Sequence, residues 1–388
     1  MTARYYFDHA ASAPRRDEVA AAMEPWLHGV VGNPSGAHRA SREARRAVED
    51  ARDEVAAFVG ASPGGVIFTA GGTESCHLAV AGVVRHHRRY HATTSLVVSR
   101  VEHHAVLDAA RAVARDFSDV SLRYVEVDAD GVLDLASLSG VLAPDVALVS
   151  VMTANNETGV LQPLDGVRAA LEAANTGEAV LHTDAVAAAP WLALPVATAA
   201  ADLVSLCAHK LGGPVNAGAL VMRREVGLDP VVPGGGQERG YRGGTVDVAA
   251  VVGLAAATRA TSRERQVANE RVTQLQRRLA GSLAQLPGCR ITAPTAGRVA
   301  GVVHVTFDDV EGKELLYLLD QNGVYASAGA SCSSGATEFS HVLEAMGMDS
   351  LRARRSLRLS MGPRTTPEDV EAVIGIVAAA VARLRASR

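Results

Sequence analysis

Lys210 is the residue whose surroundings point most directly to chemistry. It stands in Ser205-Leu-Cys-Ala-His-Lys210-Leu-Gly-Gly-Pro, where a strand-like run ends and a glycine-rich turn follows at once. Ligands of α/β sheets bind at the carboxyl ends of the strands. A lysine partly removed from water at such a place acquires the lowered pKa that suits a Schiff base with an aldehyde. Taken alone, the segment leaves a non-catalytic lysine as the alternative.

Two further segments match what pyridoxal phosphate requires. Asp184 ends the apolar run Leu-His-Thr-Asp, 26 residues before Lys210, and a carboxylate there can keep a pyridine nitrogen protonated. The run Phe68-Thr-Ala-Gly-Gly-Thr73-Glu-Ser passes through glycines into a helical pattern, so Gly72, Thr73 and the first helical N–H groups can bind a phosphate. A helix N-cap for Asp184 and an ordinary strand-to-helix turn are the structural alternatives. The three segments together favour pyridoxal phosphate.

Cys332 is the candidate nucleophile. It lies in Ala-Ser-Ala-Gly-Ala-Ser-Cys-Ser-Ser-Gly, a loop of small residues that suits a mobile thiol approaching a bound substrate. A structural cysteine normally has apolar neighbours, and Cys76 and Cys289 are interpreted as such packing residues. The four cysteines lie far apart and lack zinc-ligand spacing, so neither a disulfide framework nor a metal site is predicted.

The elements that must position these residues alternate between strand-like and helical patterns. Strands are predicted at 66–70, 95–99, 122–127, 146–152, 180–182, 203–206 and 218–222. Runs that are apolar throughout are typical of strands covered on both faces, which predicts a doubly wound α/β core. A long helix is predicted from 246 to about 286, then a linker and turn region over 287–297. Strands at 302–307 and 356–360, helices at 312–320 and 367–386, and a Gly/Ser-rich loop at 327–335 predict a small α+β domain.

Composition excludes several classes of function. The chain has 388 residues and a formal net charge of −4, which is too near balance for general nucleic-acid binding. The longest uncharged stretch, 185–201, contains Pro190 and Pro195, so a membrane-spanning helix is not expected. The first residues show no apolar signal-peptide region, and a cytoplasmic location is expected.

A series of motifs occurs in the order seen in cysteine desulfurases. They are Thr-Ala-Gly-Gly-Thr-Glu-Ser, Val-Glu-His-His-Ala-Val-Leu, Ala-Asn-Asn-Glu-Thr-Gly, His-Thr-Asp-Ala, Ala-His-Lys, Arg-Gly-Gly-Thr, Ala-Gly-Ala-Ser-Cys-Ser-Ser and Ser-Leu-Arg-Leu-Ser-Met-Gly. From about Tyr6 to its C-terminus the chain resembles this class-V, fold-type-I family of pyridoxal-phosphate enzymes. The resemblance implies a large domain (15–260) with a mostly parallel seven-stranded sheet. It also implies a small α+β domain (1–14 and 261–388) that carries the cysteine loop, and a homodimer with shared active sites.

The resemblance also implies a role for each matching residue. Lys210 would bind the cofactor aldehyde, Asp184 the ring nitrogen, and His103 would stack on the ring and handle substrate thiol protons. Cys332 would take the sulfur of L-cysteine as a persulfide, release alanine and pass the sulfur to an acceptor protein. The remaining assignments are Thr73, Gly72, His209 and Cys207 at the phosphate, Thr245 at the partner subunit's phosphate, Asn155 at the cofactor and substrate, and Arg358 at the substrate carboxylate.

The sequence departs from the family at positions inside the expected site. Ala187 replaces a glutamine that hydrogen-bonds the cofactor's phenolic oxygen, and Cys207 replaces a phosphate-binding serine with a weaker donor. These changes indicate a specialised desulfurase serving a dedicated sulfur-incorporation pathway. The alternatives are a selenocysteine lyase or C–S lyase, which would not need Cys332, and a non-catalytic sulfur-relay scaffold, which would not bind the cofactor.

Overall fold

The computed structural model describes residues 5–174, 176–328 and 339–387. Its strands, numbered in chain order, are β1 Tyr5–Tyr6, β2 Val66–Thr69, β3 Thr94–Ser99, β4 Val120–Val125, β5 Val146–Ser150, β6 Val180–Asp184, β7 Leu203–Cys207, β8 Gly218–Met222, β9 Cys289–Ile291, β10 Val302–Phe307, β11 Val324–Tyr325 and β12 Ser356–Ser360. Its α-helices are α1 Asp17–Met23, α2 Arg39–Val59, α3 Gly72–His87, α4 His104–Asp116, α5 Leu135–Val141, α6 Leu164–Ala173, α7 Leu194–Ala197, α8 Val248–Leu283, α9 Gly312–Gln321, α10 His341–Ala345, α11 Ser350–Arg354 and α12 Pro367–Ala386.

A seven-stranded sheet forms the centre of the chain, in the order β2-β8-β7-β6-β5-β3-β4. The pairs among β7, β6, β5, β3 and β4 are parallel, whereas β8 runs antiparallel to both of its neighbours. Each of the seven predicted strands is present, with ends that differ by at most two residues. The predicted α/β fold with a mostly parallel sheet is confirmed.

Helices cover both faces of this sheet. On β3, Val97 belongs to the core cluster that includes α2, α6 and α8, whereas Leu96 and Val98 belong to the cluster formed with α3 and α4. This alternation follows from the two-residue period of a strand. Because both sets of side chains are buried, the strands read as continuous apolar runs. None of the helices in the described part of the chain is long and apolar enough to span a bilayer.

A second, three-stranded antiparallel sheet has the order β12-β10-β9. The segment 287–297, predicted as a linker and turn, contains β9, so that part of the prediction is wrong. Three residues are too few for a visible alternation, and the strand forms because Cys289–Ile291 pairs with β10. Helix α8 runs without interruption through residue 260, where the family resemblance implied a domain boundary.

Candidate active site

Two neighbouring parallel strands bring Asp184 and Lys210 to the same edge of the sheet. Asp184 is the last residue of β6 and lies opposite Ser205 of β7. β7 ends at Cys207, and Lys210 follows in a single 3-10 turn that ends at Gly212 in the left-handed conformation. The structure therefore places Asp184 and Lys210 at the carboxyl ends of neighbouring parallel strands, as the sequence predicted.

Asp184 is almost completely buried, at 6% exposure. Its Oδ1 accepts the Val186 N–H at 2.9 Å, and the Cys76 thiol donates to Oδ2 with a sulfur–oxygen distance of 3.6 Å. Burial, with a further effect from Asp184, raises the pKa of the Cys76 thiol well above its usual value. Cys76 therefore remains a protonated donor that orients the carboxylate. Cys76 was predicted only as a packing residue, and its contact with Asp184 was not predicted, although Cys76 stands one helical turn after Thr73.

His103 caps the first turn of α4. Its Nδ1 accepts the Ala105 N–H at 3.1 Å. Burial lowers its pKa; Asp184 raises that pKa and Lys210 lowers it further. A neutral ring that accepts a hydrogen bond at Nδ1 carries its proton on Nε2. His103 can therefore exchange a proton through Nε2 beside Asp184 and Lys210.

The N-terminal segment closes over Lys210. The Lys210 Nζ donates to the Ala10 and Ala11 carbonyl oxygens at 2.5 and 2.7 Å. Lys210 and Ala187 also line one cavity of about 250 Å³, together with Asn155, His9 and Trp191. Ala187 contributes only a methyl group to this wall, so the hydrogen bond that a glutamine would make there is absent.

The start of α3 lies against the ends of β6 and β7. Gly71, the N-cap, has a φ of 152°, which favours glycine, and a Cβ on Gly72 would lie 3.1 Å from Val186 and 3.5 Å from Cys207. Thr73 is exposed and lies in the first turn of α3, where helical N–H groups lack intrahelical acceptors. This is the arrangement that the sequence predicted for a phosphate site.

His209 and Cys207 lie at the same strand end. Burial, with the charge of Lys210, lowers the pKa of His209 to about 4, and its buried Nδ1 finds no hydrogen-bond partner within the described residues. The Cys207 sulfur lies 3.9 Å from His209 Nε2. Burial raises the pKa of the Cys207 thiol to about 11, so this thiol is neutral.

Arg358 and Asn155 are buried beside the N-terminal segment. Arg358 Nη2 pairs with Asp8 Oδ1 at 2.9 Å, and Nη1 donates to the Asn156 carbonyl at 3.0 Å. The Asn155 side chain is used within the protein. Its Nδ2 donates to the Val101 carbonyl at 3.1 Å, and its Oδ1 accepts the Glu157 N–H at 2.9 Å. Asn155 therefore shapes the turn beside Arg358, and its contact with substrate or cofactor stays a prediction.

Two predicted residues are not brought to this site by the described chain. Thr245 is exposed just before α8 and lines a surface groove with Trp26 and Asn33. Cys332 lies outside the described residues. Their assignments stay predictions.

Known proteins match this chain over nearly its whole length. The profile of the Aminotransferase class-V family matches residues 5–373. The IscS-like cysteine desulfurase of Mycobacterium tuberculosis is 40% identical over 390 residues, which cover 98% of this chain and 97% of that protein. A solved NifS-like protein has a TM-score of 0.90 at 31% identity, covering 98% of this chain and 100% of its own.

The chain belongs to the class-V aminotransferases and is a cysteine desulfurase. Cysteine desulfurases of this family are generally dependent on pyridoxal phosphate. Another similar structure, SspA in complex with cysteine, has a TM-score of 0.78 at 28% identity, covering 93% of this chain and 100% of its own.

Proposed function

We propose that this desulfurase holds pyridoxal 5'-phosphate on Lys210 and passes the sulfur of L-cysteine to Cys332. The observation that carries the proposal is that Asp184, Lys210 and His103 lie at the same carboxyl-end edge of the sheet, where Asp184 is buried and both Asp184 and Lys210 act on the pKa of His103. A similar protein, SspA, is known in complex with cysteine, which supports cysteine as the substrate.

The residues at the strand edge fit the cofactor. Asp184 keeps acceptor capacity beyond the Val186 N–H and the Cys76 thiol, as a protonated ring nitrogen requires. The unpartnered His209 Nδ1 and the start of α3 at Gly72 and Thr73, all within the described residues, match the needs of a phosphate group. When bound, the cofactor would supply an electron sink for charge that develops on the substrate carbons.

The protein's own residues would divide the remaining work. Lys210 accepts the α-proton of the substrate, and His103 exchanges the substrate thiol proton through Nε2. Arg358 binds the substrate carboxylate through its guanidinium. The Cys332 thiolate forms a bond to the substrate sulfur while the carbon–sulfur bond breaks, which leaves a persulfide on the enzyme and releases alanine after protonation. An acceptor protein then takes the outer sulfur.

A mass measurement tests this proposal. The purified protein is incubated with pyridoxal phosphate and L-cysteine, and the Cys332 peptide is examined for one added sulfur while released alanine is counted. Equal amounts of persulfide and alanine in the first turnover are expected, with persulfide lost in Cys332→Ala and kept in the control Cys289→Ala. Alanine formation that continues unchanged in Cys332→Ala would indicate a lyase. A protein that does not bind the cofactor would be a scaffold.

We also propose a homodimer in which Thr245 reaches the phosphate of the second subunit. The exposure of Thr245 on the segment before α8 supports this arrangement. Light scattering should give twice the chain mass, and Thr245→Ala should weaken cofactor binding without dissociating the dimer. A monomer with full activity would contradict the proposal. The domain division at residues 14 and 260, the cytoplasmic location and the dedicated pathway stay predictions.

A further inference from the structure

Described residues that precede and follow Cys332 in the chain make hydrogen bonds beside Arg358, the predicted substrate-binding residue. Before Cys332, Ser327 and Arg358 exchange backbone hydrogen bonds at 3.1 and 2.7 Å, and the Ser327 hydroxyl donates to Asp8 at 2.8 Å. Eight residues after Cys332, the Ser340 hydroxyl donates to Glu157 Oε2 at 2.6 Å. Ser340 also caps α10 by accepting the Leu343 N–H. Glu157 is thus the acceptor that holds Ser340 at the start of α10.

Glu157 is a buried carboxyl group that the proposed chemistry does not use. Its backbone N–H donates to Asn155 Oδ1, and its Oε2 accepts the Ser340 hydroxyl at the start of α10. The positive charge of Arg358 on β12 also acts on the Glu157 carboxylate. Arg358 itself is paired with Asp8 on the N-terminal segment. Burial raises the pKa of Glu157 to about 7, while Ser340 and Arg358 oppose this rise.

We propose that Glu157 is a positioning residue that couples substrate binding at Arg358 to the hydrogen bond with Ser340 at the start of α10. This inference rests on the proposed role of Arg358. Because Asp8 already balances the charge of Arg358, a substrate carboxylate that joins Asp8 at Arg358 adds a net negative charge near ionised Glu157. Glu157 then takes up a proton and becomes a weaker acceptor for the Ser340 hydroxyl. By linkage, an ionised Glu157 must weaken substrate binding to the same extent.

The pH dependence of KM separates this role from a merely structural one. KM for cysteine is measured from pH 6 to 8 in the holoenzyme, in Glu157→Gln and in the control Glu344→Gln, an exposed carboxyl on α10. Dividing the wild-type KM by the variant KM cancels the titration of cysteine itself. The Glu157→Gln ratio should rise through pH 7 by about fivefold, the lower end of typical coupling. The Glu344→Gln ratio should stay level.

A second readout follows the hydrogen bond between Glu157 and Ser340 without turnover. Hydrogen exchange of the α10 peptide is measured with and without L-alanine, which carries the same carboxylate. Alanine should increase exchange in the wild type and leave it unchanged in Glu157→Gln. If Glu157→Gln does not fold, Ser340→Ala replaces it. Removing this hydroxyl raises the pKa of Glu157. The KM of Ser340→Ala should therefore rise at a higher pH than the KM of the wild type.

The outcomes distinguish this inference from the proposed function. A level Glu157→Gln ratio, or an unmoved inflection in Ser340→Ala, overturns the coupling if the wild type still forms persulfide and alanine. If the wild type forms neither product, the proposed function itself is wrong. If Arg358→Lys leaves KM unchanged while persulfide forms normally, the carboxylate site is misplaced and the coupling falls with it.

Discussion

Replacing Glu238 by glutamine should destabilise the enzyme far more than replacing an exposed glutamate. Glu238 lies in the turn between β8 and α8 with 7% exposure. Its carboxylate accepts two hydrogen bonds from Arg52, both at 2.9 Å, and the Phe68 N–H of β2 at 2.7 Å. Glu238 and Arg239 have φ values of 45° and 56°, a conformation that is uncommon outside glycine. These contacts hold a strained turn against β2, the strand that leads to the start of α3.

The magnitude follows from what Glu238→Gln leaves behind. Arg52 is 4% exposed. The glutamine would offer one neutral acceptor oxygen in place of a carboxylate, so the only negative charge left on Arg52 would be Glu49, whose side chain is 57% exposed. Removing one member of a buried ion pair typically costs about 3–5 kcal/mol, because the remaining charge stays buried without compensation. Since Glu49 compensates part of the Arg52 charge, we expect a loss of about 3 kcal/mol in the free energy of unfolding, the lower end of that range.

Urea unfolding followed by circular dichroism measures this loss. The matched control is Glu371→Gln, which removes a carboxylate bonded to Arg278 at 2.6 and 2.8 Å on an exposed surface. Because solvent screens both of these exposed side chains, that pair should contribute much less to the free energy of unfolding. Equal small losses in both variants would refute the reasoning from burial. The double change Arg52→Met with Glu238→Leu should recover part of the stability, since no buried charge remains.

Three further predictions concern pH and the cofactor site. Burial lowers the pKa of His182 to about 3, so its unfolded-state protonation should reduce stability as pH falls below about 6.5, by up to about 1.4 kcal/mol per pH unit. His182→Gln should flatten this dependence in urea titrations, and an unchanged slope would contradict it. Asp184→Asn should slow alanine formation at least about 100-fold. A rate within a few-fold of the wild-type rate would contradict the proposed contact of Asp184 with the ring nitrogen. Ala187→Gln should lower the pH midpoint of the bound cofactor's visible absorbance, because the added amide stabilises an anionic oxygen; an unmoved midpoint would show that the introduced side chain does not reach that oxygen.

The central sheet was predictable because its strands are buried on both faces. Continuous apolar runs such as Val146–Ser150 identify the strands, and the adjacency of two of them places Asp184 beside Lys210. Partners far apart in sequence were not predictable. β1 pairs with β11 across more than 300 residues, and neither two-residue strand has a period to detect.

The same reason limits the prediction of the site. The surroundings of Asp184 and Lys210 predicted their roles and the family resemblance predicted that of His103, whereas the contacts of Cys76 with Asp184 and of Asp8 with Arg358 exist only in the folded chain. A cysteine in an apolar helix or an aspartate near the N-terminus carries no local signal of such a partner. Glu157 likewise stands in the motif Ala-Asn-Asn-Glu-Thr-Gly, but its contact with Ser340 was not predictable from the sequence.

Borohydride reduction of the enzyme with pyridoxal phosphate, followed by peptide mass spectrometry, tests the central claim most directly. The reduced cofactor should be found on the peptide containing Lys210, and Lys210→Ala should abolish both the label and alanine formation. A label on Lys313, or full activity in Lys210→Ala, would contradict the account.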